Sequence, residues 1–185
     1  IRTASSLDVA VAEKEYDLPA RDGYRLTVEE AQKQADAAKA VMEDAEKRSD
    51  IYGKRVIEAF RAENYLAGLR LDAARIFNDP NRPRAISTIQ QAIRIGDTVF
   101  VTFPGEVFAE IGLKVKEKSP LENTFVLGLA GAFDNYLPTA EEFREEGYAA
   151  LISPYSPRAE QALIDSSLEL IGAVIRPDIR NKRAK

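Results

Sequence analysis

The chain has 185 residues, 45% hydrophobic and 30% charged, with a formal net charge of −4. That is enough apolar material for one sizeable core, and the acidic balance argues against a protein held on nucleic acid by phosphate neutralisation. Cysteine and histidine are both absent, which excludes disulfides, thiol catalysis, Cys-ligated zinc, and any Ser-His-Asp or His-rich metal site built from this chain alone.

Loose alternation of Leu7, Val9, Val11, Tyr16 and Leu18 predicts a strand or two between Ser6 and Pro19, with a turn at Asp22-Gly23. Thr27-Val28-Glu29-Glu30 fits a capping box, in which the threonine hydroxyl and the glutamate side chain each satisfy the other's backbone N–H. The helix it opens carries an alanine-rich seam, Val28, Ala31, Ala35, Ala38, Met42 and Ala45, that lets a partner helix come close. Gly53 interrupts it. A second helical run places Val56, Phe60, Leu66, Leu69 and Ile76 on its apolar face and ends near Asn78-Asp79-Pro80. The pair reads as a helical hairpin packed on a core rather than a partner-binding coiled coil, since heptads are not sustained.

Beyond a loop at Pro80 to Pro83, Thr88 to Ile95 reads as a strand, Gly96-Asp97 as a turn, and Thr98 to Phe103 as a buried strand. Pro104-Gly105 ends that strand and places Glu106 at the start of a helix bearing Val107, Phe108, Ile111, Leu113 and Val115. Asn123 to Ala130 is the next buried strand, so residues 98–130 form a strand–helix–strand unit. Pro138-Thr139 opens a short helix, with Thr139 and Glu142 as a second capping box. Ser156-Pro157 opens the last helix, lined by Leu163, Leu168, Ile171 and Val174 and stopped by Pro177; a solvated basic tail comes after it. The fold class is α/β (mixed α+β): a few-stranded sheet packed by helices, with a long helical hairpin. No apolar run approaches the ~18 residues that span a bilayer. The sequence opens at Ile1 with no initiator Met, no basic n-region and no apolar h-region, so it is expected to begin after processing or inside a longer gene product.

Two places suit chemistry. Glu106 comes after a buried strand at a Pro-Gly corner, where a helix N-terminus favours an ionised carboxylate and a hard oxygen donor can serve Zn²⁺ or Mg²⁺. An ordinary first-turn glutamate satisfies the same position. The small-residue stretch Gly128-Leu129-Ala130-Gly131-Ala132 leads to Tyr136, and Tyr148 lies across a short helix. A phenol can ligate a Lewis-acidic metal or donate to a developing oxyanion; two packed rings with wet hydroxyls are the plainer alternative. Asp134 and the Glu141-Glu142 pair are further carboxylates, Glu142 being better explained as a cap. The charged runs Glu43 to Arg48 and Lys114 to Lys118 read as solvated helix faces.

Val99-Phe100-Val101-Thr102-Phe103-Pro104-Gly105-Glu106-Val107-Phe108 resembles the Pro-Gly-Glu segment of the neutral/alkaline, non-lysosomal ceramidase family. Leu127 to Tyr136, continued by Leu137-Pro138-Thr139-Ala140-Glu141-Glu142-Phe143, is similar to that family's small-residue strand, tyrosine and Thr-x-Glu-Glu helix. Glu146-Gly147-Tyr148 and Ser153-Pro154-Tyr155-Ser156-Pro157 resemble the family's next tyrosine and the small-residue loop before its last helix. The likeness covers residues 86–176; residues 1–85 add little to it.

The resemblance implies a zinc-dependent amide hydrolase that cleaves the N-acyl bond of a sphingolipid or related lipid amide. It implies Glu106 and Tyr136 as zinc ligands and Tyr148 as the catalytic phenol set against the scissile amide. That family completes its zinc shell with two histidines from the earlier part of the catalytic domain, and this sequence has none. Ala149 stands where the family often has glutamate, and the immunoglobulin-like C-terminal domain of larger members is not in this sequence. The expectation is therefore a single unit over 1–185, the C-terminal part of a larger catalytic domain: strands and hairpin at 1–85, site region at 86–176, basic tail at 177–185. It would be active only with an N-terminal segment or chain of the same precursor carrying the histidines, and family analogy favours an extracytoplasmic or secreted location. The alternative is a non-catalytic scaffold or binding relative of the same fold. A third, least favoured, is a hydrolase using carboxylates alone.

Overall fold

In a computed structural model the chain is described over residues 8–131 and 135–175. In chain order the elements are β1 (Val9–Pro19), α1 (Val28–Lys47), α2 (Lys54–Phe77), β2 (Ala85–Ile95), β3 (Thr98–Thr102), β4 (Glu106–Val107), α3 (Ala109–Lys118), β5 (Asn123–Leu127), β6 (Tyr136–Leu137), α4 (Glu142–Glu145), α5 (Tyr148–Ile152) and α6 (Ala159–Ile175). Four strands form one mixed sheet in the order β1-β2-β3-β5, and β4 with β6 forms a small second sheet. The first three strands run antiparallel to their neighbours, while β3 and β5 are parallel. A parallel pair needs a crossover, and α3 supplies it. The architecture is the expected mixed α/β class, and the strand–helix–strand unit is present as β3–α3–β5.

The alternation in β1 has a direct physical outcome. Ala10, Ala12, Tyr16 and Leu18 face the core with Ala92, Val99 and Val101, and α6 lies over them with Leu163, Ile164, Leu170, Ile171 and Val174. Removing each of those large α6 side chains from water is worth roughly 1.5–3 kcal/mol. Alanines at 10, 12 and 92 let α6 sit close to the sheet, and polar pins fix its register. Gln90, fully buried, donates to Ser167 Oγ (2.8 Å), and Arg94 donates to the Val174 carbonyl (2.8 Å). Lys14 pairs with Glu169 across the same interface at 2.5 Å. The opposite face of the sheet is left exposed.

Helices α1 and α2 pack as the expected hairpin. The Thr27 capping box is complete: Glu30 N–H donates to Thr27 Oγ1 (3.2 Å), and Thr27 N–H donates to the Glu30 carboxylate (2.9 Å). Ala31 and Ala45 of the seam are buried. The α2 face differs from expectation, because Val56 and Ile76 are exposed and Ala67, Leu71, Ala73, Ala74 and Phe77 are the buried residues. Close helix packing selects alanine over larger side chains there.

Three local expectations are corrected. Glu106 is not a first-turn residue: it lies in β4, and the cap of α3 is Phe108. The Val107–Leu137 register pair claims the backbone that would otherwise begin the helix. Asp22-Gly23 carries no turn, and the chain beside it is tied by Arg21 N–H to the Pro154 carbonyl (2.8 Å). Ser156 precedes α6, but its buried hydroxyl has no hydrogen-bond partner among the described residues. Its carbonyl instead accepts from Ala159 N–H at 2.9 Å. The 139–142 cap is half formed, Glu142 N–H donating to Thr139 Oγ1 at 3.3 Å. Leu7, Asp134 and the basic tail lie outside the described residues.

Replacing Thr27 by alanine removes the hydroxyl that accepts from Glu30 N–H and leaves only the backbone arm of the α1 cap. The expected loss is about 1 kcal/mol of unfolding free energy, read by urea denaturation, with Thr27→Ser retaining most of the wild-type stability.

Candidate functional site

The site begins where β3 ends. Phe103 and Pro104 stay buried, and Gly105 then turns the chain with φ +70°. A side chain at Gly105 would be strained twice over, by that backbone conformation and by collision of its Cβ with the Asn135 carbonyl oxygen. The close approach is what allows Glu106 N–H to donate to Asn135 O at 2.9 Å and Phe108 N–H to donate to Leu137 O at 3.1 Å. These bonds make β4 and β6 a two-residue parallel ladder with Glu106 opposite Tyr136. Two residues far apart in sequence thus stand side by side, with backbones fixed on both sides.

Tyr136 is secured again from below. Its carbonyl accepts from Ser153 Oγ at 2.8 Å, and that oxygen in turn accepts from Tyr155 N–H at 3.2 Å. Tyr155 is fully buried in the main core, so the tyrosine backbone is tied to the most rigid part of the molecule. The Tyr136 phenol faces the Glu106 carboxylate. Hydrogen bonding to that carboxylate, and then its negative charge, raise the phenol's pKa above its ordinary value; Tyr148 acts in the same direction more weakly.

Tyr148 opens α5 and sets its ring edge-on to Tyr136, with centroids 5.9 Å apart and planes at 76°. Its other neighbour is Tyr65 of α2, stacked at 6.4 Å and 18°. Aromatic pairs of these geometries contribute ~0.5–1.5 kcal/mol each beyond burial. Glu106, Tyr136 and Tyr148 are therefore brought together. Tyr65 is not legible in the sequence. It lies off the buried face of α2 and is 56% exposed, so helical periodicity gives no reason to single it out.

The corner before Tyr148 is held electrostatically. Glu146 adopts φ +54° and receives two 2.6 Å bonds from Arg25, with Arg70 at 3.9 Å. The Arg25 hydrogen bonds hold its carboxyl below the usual range against the opposing effect of burial. Tyr24 is pushed up to about 12 by burial and by the Glu146 charge. Arginines from before α1 and from α2 thus converge on the turn that presents Tyr148.

The other carboxylates belong elsewhere. Glu141 lies 4.0 Å from Arg144 and is mostly exposed, and Glu142 takes part in the half-formed cap through its N–H alone. Both border a cavity of about 540 Å³ that Lys114, Thr139 and Glu160 also line. Glu160 there binds Lys114 and accepts from Ala140 N–H at 2.7 Å. Ala149, where the resemblance would have allowed glutamate, is buried in α5. Among the described residues no cluster of three or more His, Cys, Asp or Glu could hold a metal ion. The side-chain oxygens at the site are the Glu106 carboxylate and the Tyr136 and Tyr148 phenols.

No family model matches this chain, and no curated protein matches it. Among solved structures it is similar to a ceramidase complexed with C2, at 21% identity and TM-score 0.44, over 52% of this chain and 16% of that one. It is also similar to the neutral ceramidase of Pseudomonas aeruginosa, at 23% identity and TM-score 0.39, over 51% of this chain and 16% of that one. The chain spans about a sixth of the length of each of these structures.

Two measurements on the chain check the geometry. Glu106→Gln removes the charge that holds the Tyr136 phenol protonated, so that phenol should titrate at lower pH, followed by tyrosine-ring NMR; an unchanged midpoint would separate the two side chains. Glu146 contributes stability above the ordinary carboxylate value of 4.5, lost as pH falls through its depressed folded value. Glu146→Gln should therefore cost about 1–3 kcal/mol at neutral pH, with the difference from wild type vanishing in acid.

Proposed function

We propose that this chain supplies the Glu106–Tyr136–Tyr148 part of a ceramidase-like amide hydrolase site, with the histidines of a zinc shell coming from another polypeptide segment. The carrying observation is the convergence of these three side chains on one spot through the Glu106–Tyr136 register pair. The donor chemistry suits part of a zinc shell: two adjacent hard oxygens, one of them anionic. They are too few to complete it, which is why the reading requires a second segment. Zinc held there would supply Lewis acidity toward the amide carbonyl.

The chain's own residues do the rest. Glu106 and Tyr136 would be the zinc ligands, and the Tyr136 proton must leave for both oxygens to serve, so metal uptake should strengthen with rising pH. Tyr148 keeps its phenol beside that pair and can donate a hydrogen bond where negative charge develops on the amide oxygen. Tyr65 fixes the plane of the Tyr148 ring. The surroundings suit a substrate with an apolar tail: Leu129, whose N–H donates to the Gly105 carbonyl at 3.0 Å, is 57% exposed, and Tyr65 and Tyr148 present half-exposed rings. Among the described residues no helix is long and apolar enough to cross a membrane.

The test is zinc content and N-acyl hydrolysis of the native assembly. Wild type should carry about one zinc per copy of this chain, Glu106→Ala should lose it, and Tyr148→Phe should keep it while kcat falls by about 10²-fold. Zinc retained in Glu106→Ala would overturn the assignment.

A further inference from the structure

The sheet face turned away from α6 is apolar where a solvated face should be polar. The strand registers align Val11, Ile93, Phe100 and Phe125 in one row across all four strands. Phe100 and Phe125 stack there, with centroids 5.4 Å apart and planes at 21°. Val9, Ile95, Leu127 and Ile89 extend the patch, and Val11 and Phe125 are 62% and 48% exposed. A contiguous apolar surface of this kind marks an interface, whereas antiparallel strands that face water alternate with polar residues.

Beside the patch, β1 places Glu13, Glu15 and Asp17 on the same face. Their neighbours across the ladder are neutral: Gln91 donates to Glu13 at 2.5 Å and Ser87 to Glu15 at 3.2 Å. No lysine or arginine occupies an outward position of β1, β2, β3 or β5. A second copy of this chain laid on the face would bring further carboxylates and no cation, leaving buried charges unpaired. The complementary occupant carries an apolar centre and a basic margin. The same strands end at the site, β3 running into Gly105-Glu106 and β5 into Leu129, so this face and the site adjoin at the C-terminal ends of β3 and β5.

We propose that this face is the docking surface for a different polypeptide segment, apolar at its centre and lysine- or arginine-bearing where it meets β1, and that this segment is the one completing the Glu106–Tyr136 site. Only that last clause rests on the function proposed above.

The experiment places a photo-crosslinking benzoyl-phenylalanine at position 125 of the full chain in its native host and sequences the joined peptide, with position 41 on the hairpin as control. The expected adduct is to a basic, non-identical peptide from a polypeptide that also contains histidines. An adduct to the chain's own β1 or β5 peptides, or no adduct specific to position 125, would overturn the proposal. In parallel, Phe125→Asp should release the partner while far-UV circular dichroism stays native, and Glu13→Gln/Glu15→Gln should slow association roughly 10-fold at low salt. Partner retained by Phe125→Asp overturns the interface alone. Zinc retained by Glu106→Ala, with the partner released by Phe125→Asp, overturns the proposed chemistry and leaves the interface standing.

Discussion

The two-residue ladder between Glu106 and Tyr136 is the constraint on which the rest of the site depends. It exists because Gly105 takes a positive φ and carries no Cβ, so the Asn135 carbonyl can approach and accept from Glu106 N–H. Everything upstream and downstream serves that approach. β3 delivers Gly105 from the buried centre of the sheet, and Ser153 holds the Tyr136 carbonyl against α5. A hydrogen-bonded ladder fixes positions far better than a loop, and a site of two or three side chains needs that precision. The carboxylate and phenol are thus presented by backbone geometry, with the phenol's raised pKa as the electrostatic trace of their proximity.

Local signals in the sequence carried some of this and not the rest. The capping box at Thr27, the turn at Gly96 and the buried strand before Pro104 are written in short segments, and each formed in its place. The β4–β6 ladder is written nowhere locally. Val107 and Phe108 continue an apolar periodicity that reads as helix, and only Leu137, brought in from a distant segment, turns Val107 into a strand residue. The buried face of α2 was obscured for a different reason: Val56 and Ile76 have the bulk of core residues, while packing against a neighbouring helix buries Ala67, Ala73 and Ala74. Tyr65 is the clearest case, since its importance comes wholly from Tyr148, a contact between α2 and α5 with no trace in either segment alone.

That contact also changes what the hairpin is for. Residues 1–85 carry little of the family resemblance, and α1 and α2 could pass for a structural appendage. The structure ties them to the site at two points, Tyr65 on the Tyr148 ring and Arg25 with Arg70 on Glu146. Arg21 adds a third link, donating to the Ala150 carbonyl at 2.7 Å with its guanidinium over Phe77. Its burial lowers the guanidinium's pKa, a cost accepted where the cation stitches β1's exit, α2 and α5 into one corner. The hairpin is therefore a wall of the site, and its alanine-rich packing gives that wall rigidity at small volume.

The two faces of the main sheet divide the work. One is closed by α6 with pins such as Gln90 on Ser167, and makes a core sufficient to hold the strands in register. The other keeps apolar side chains in water, a standing cost in solubility that an isolated domain has no reason to carry. Under the proposed zinc chemistry the Glu106–Tyr136 donor pair would be incomplete in the same way. The exposed apolar area is an observation about packing, and the incomplete donor set follows from the proposed coordination. The layer proposed for this face, reaching past the ends of β3 and β5 to Glu106, would account for both.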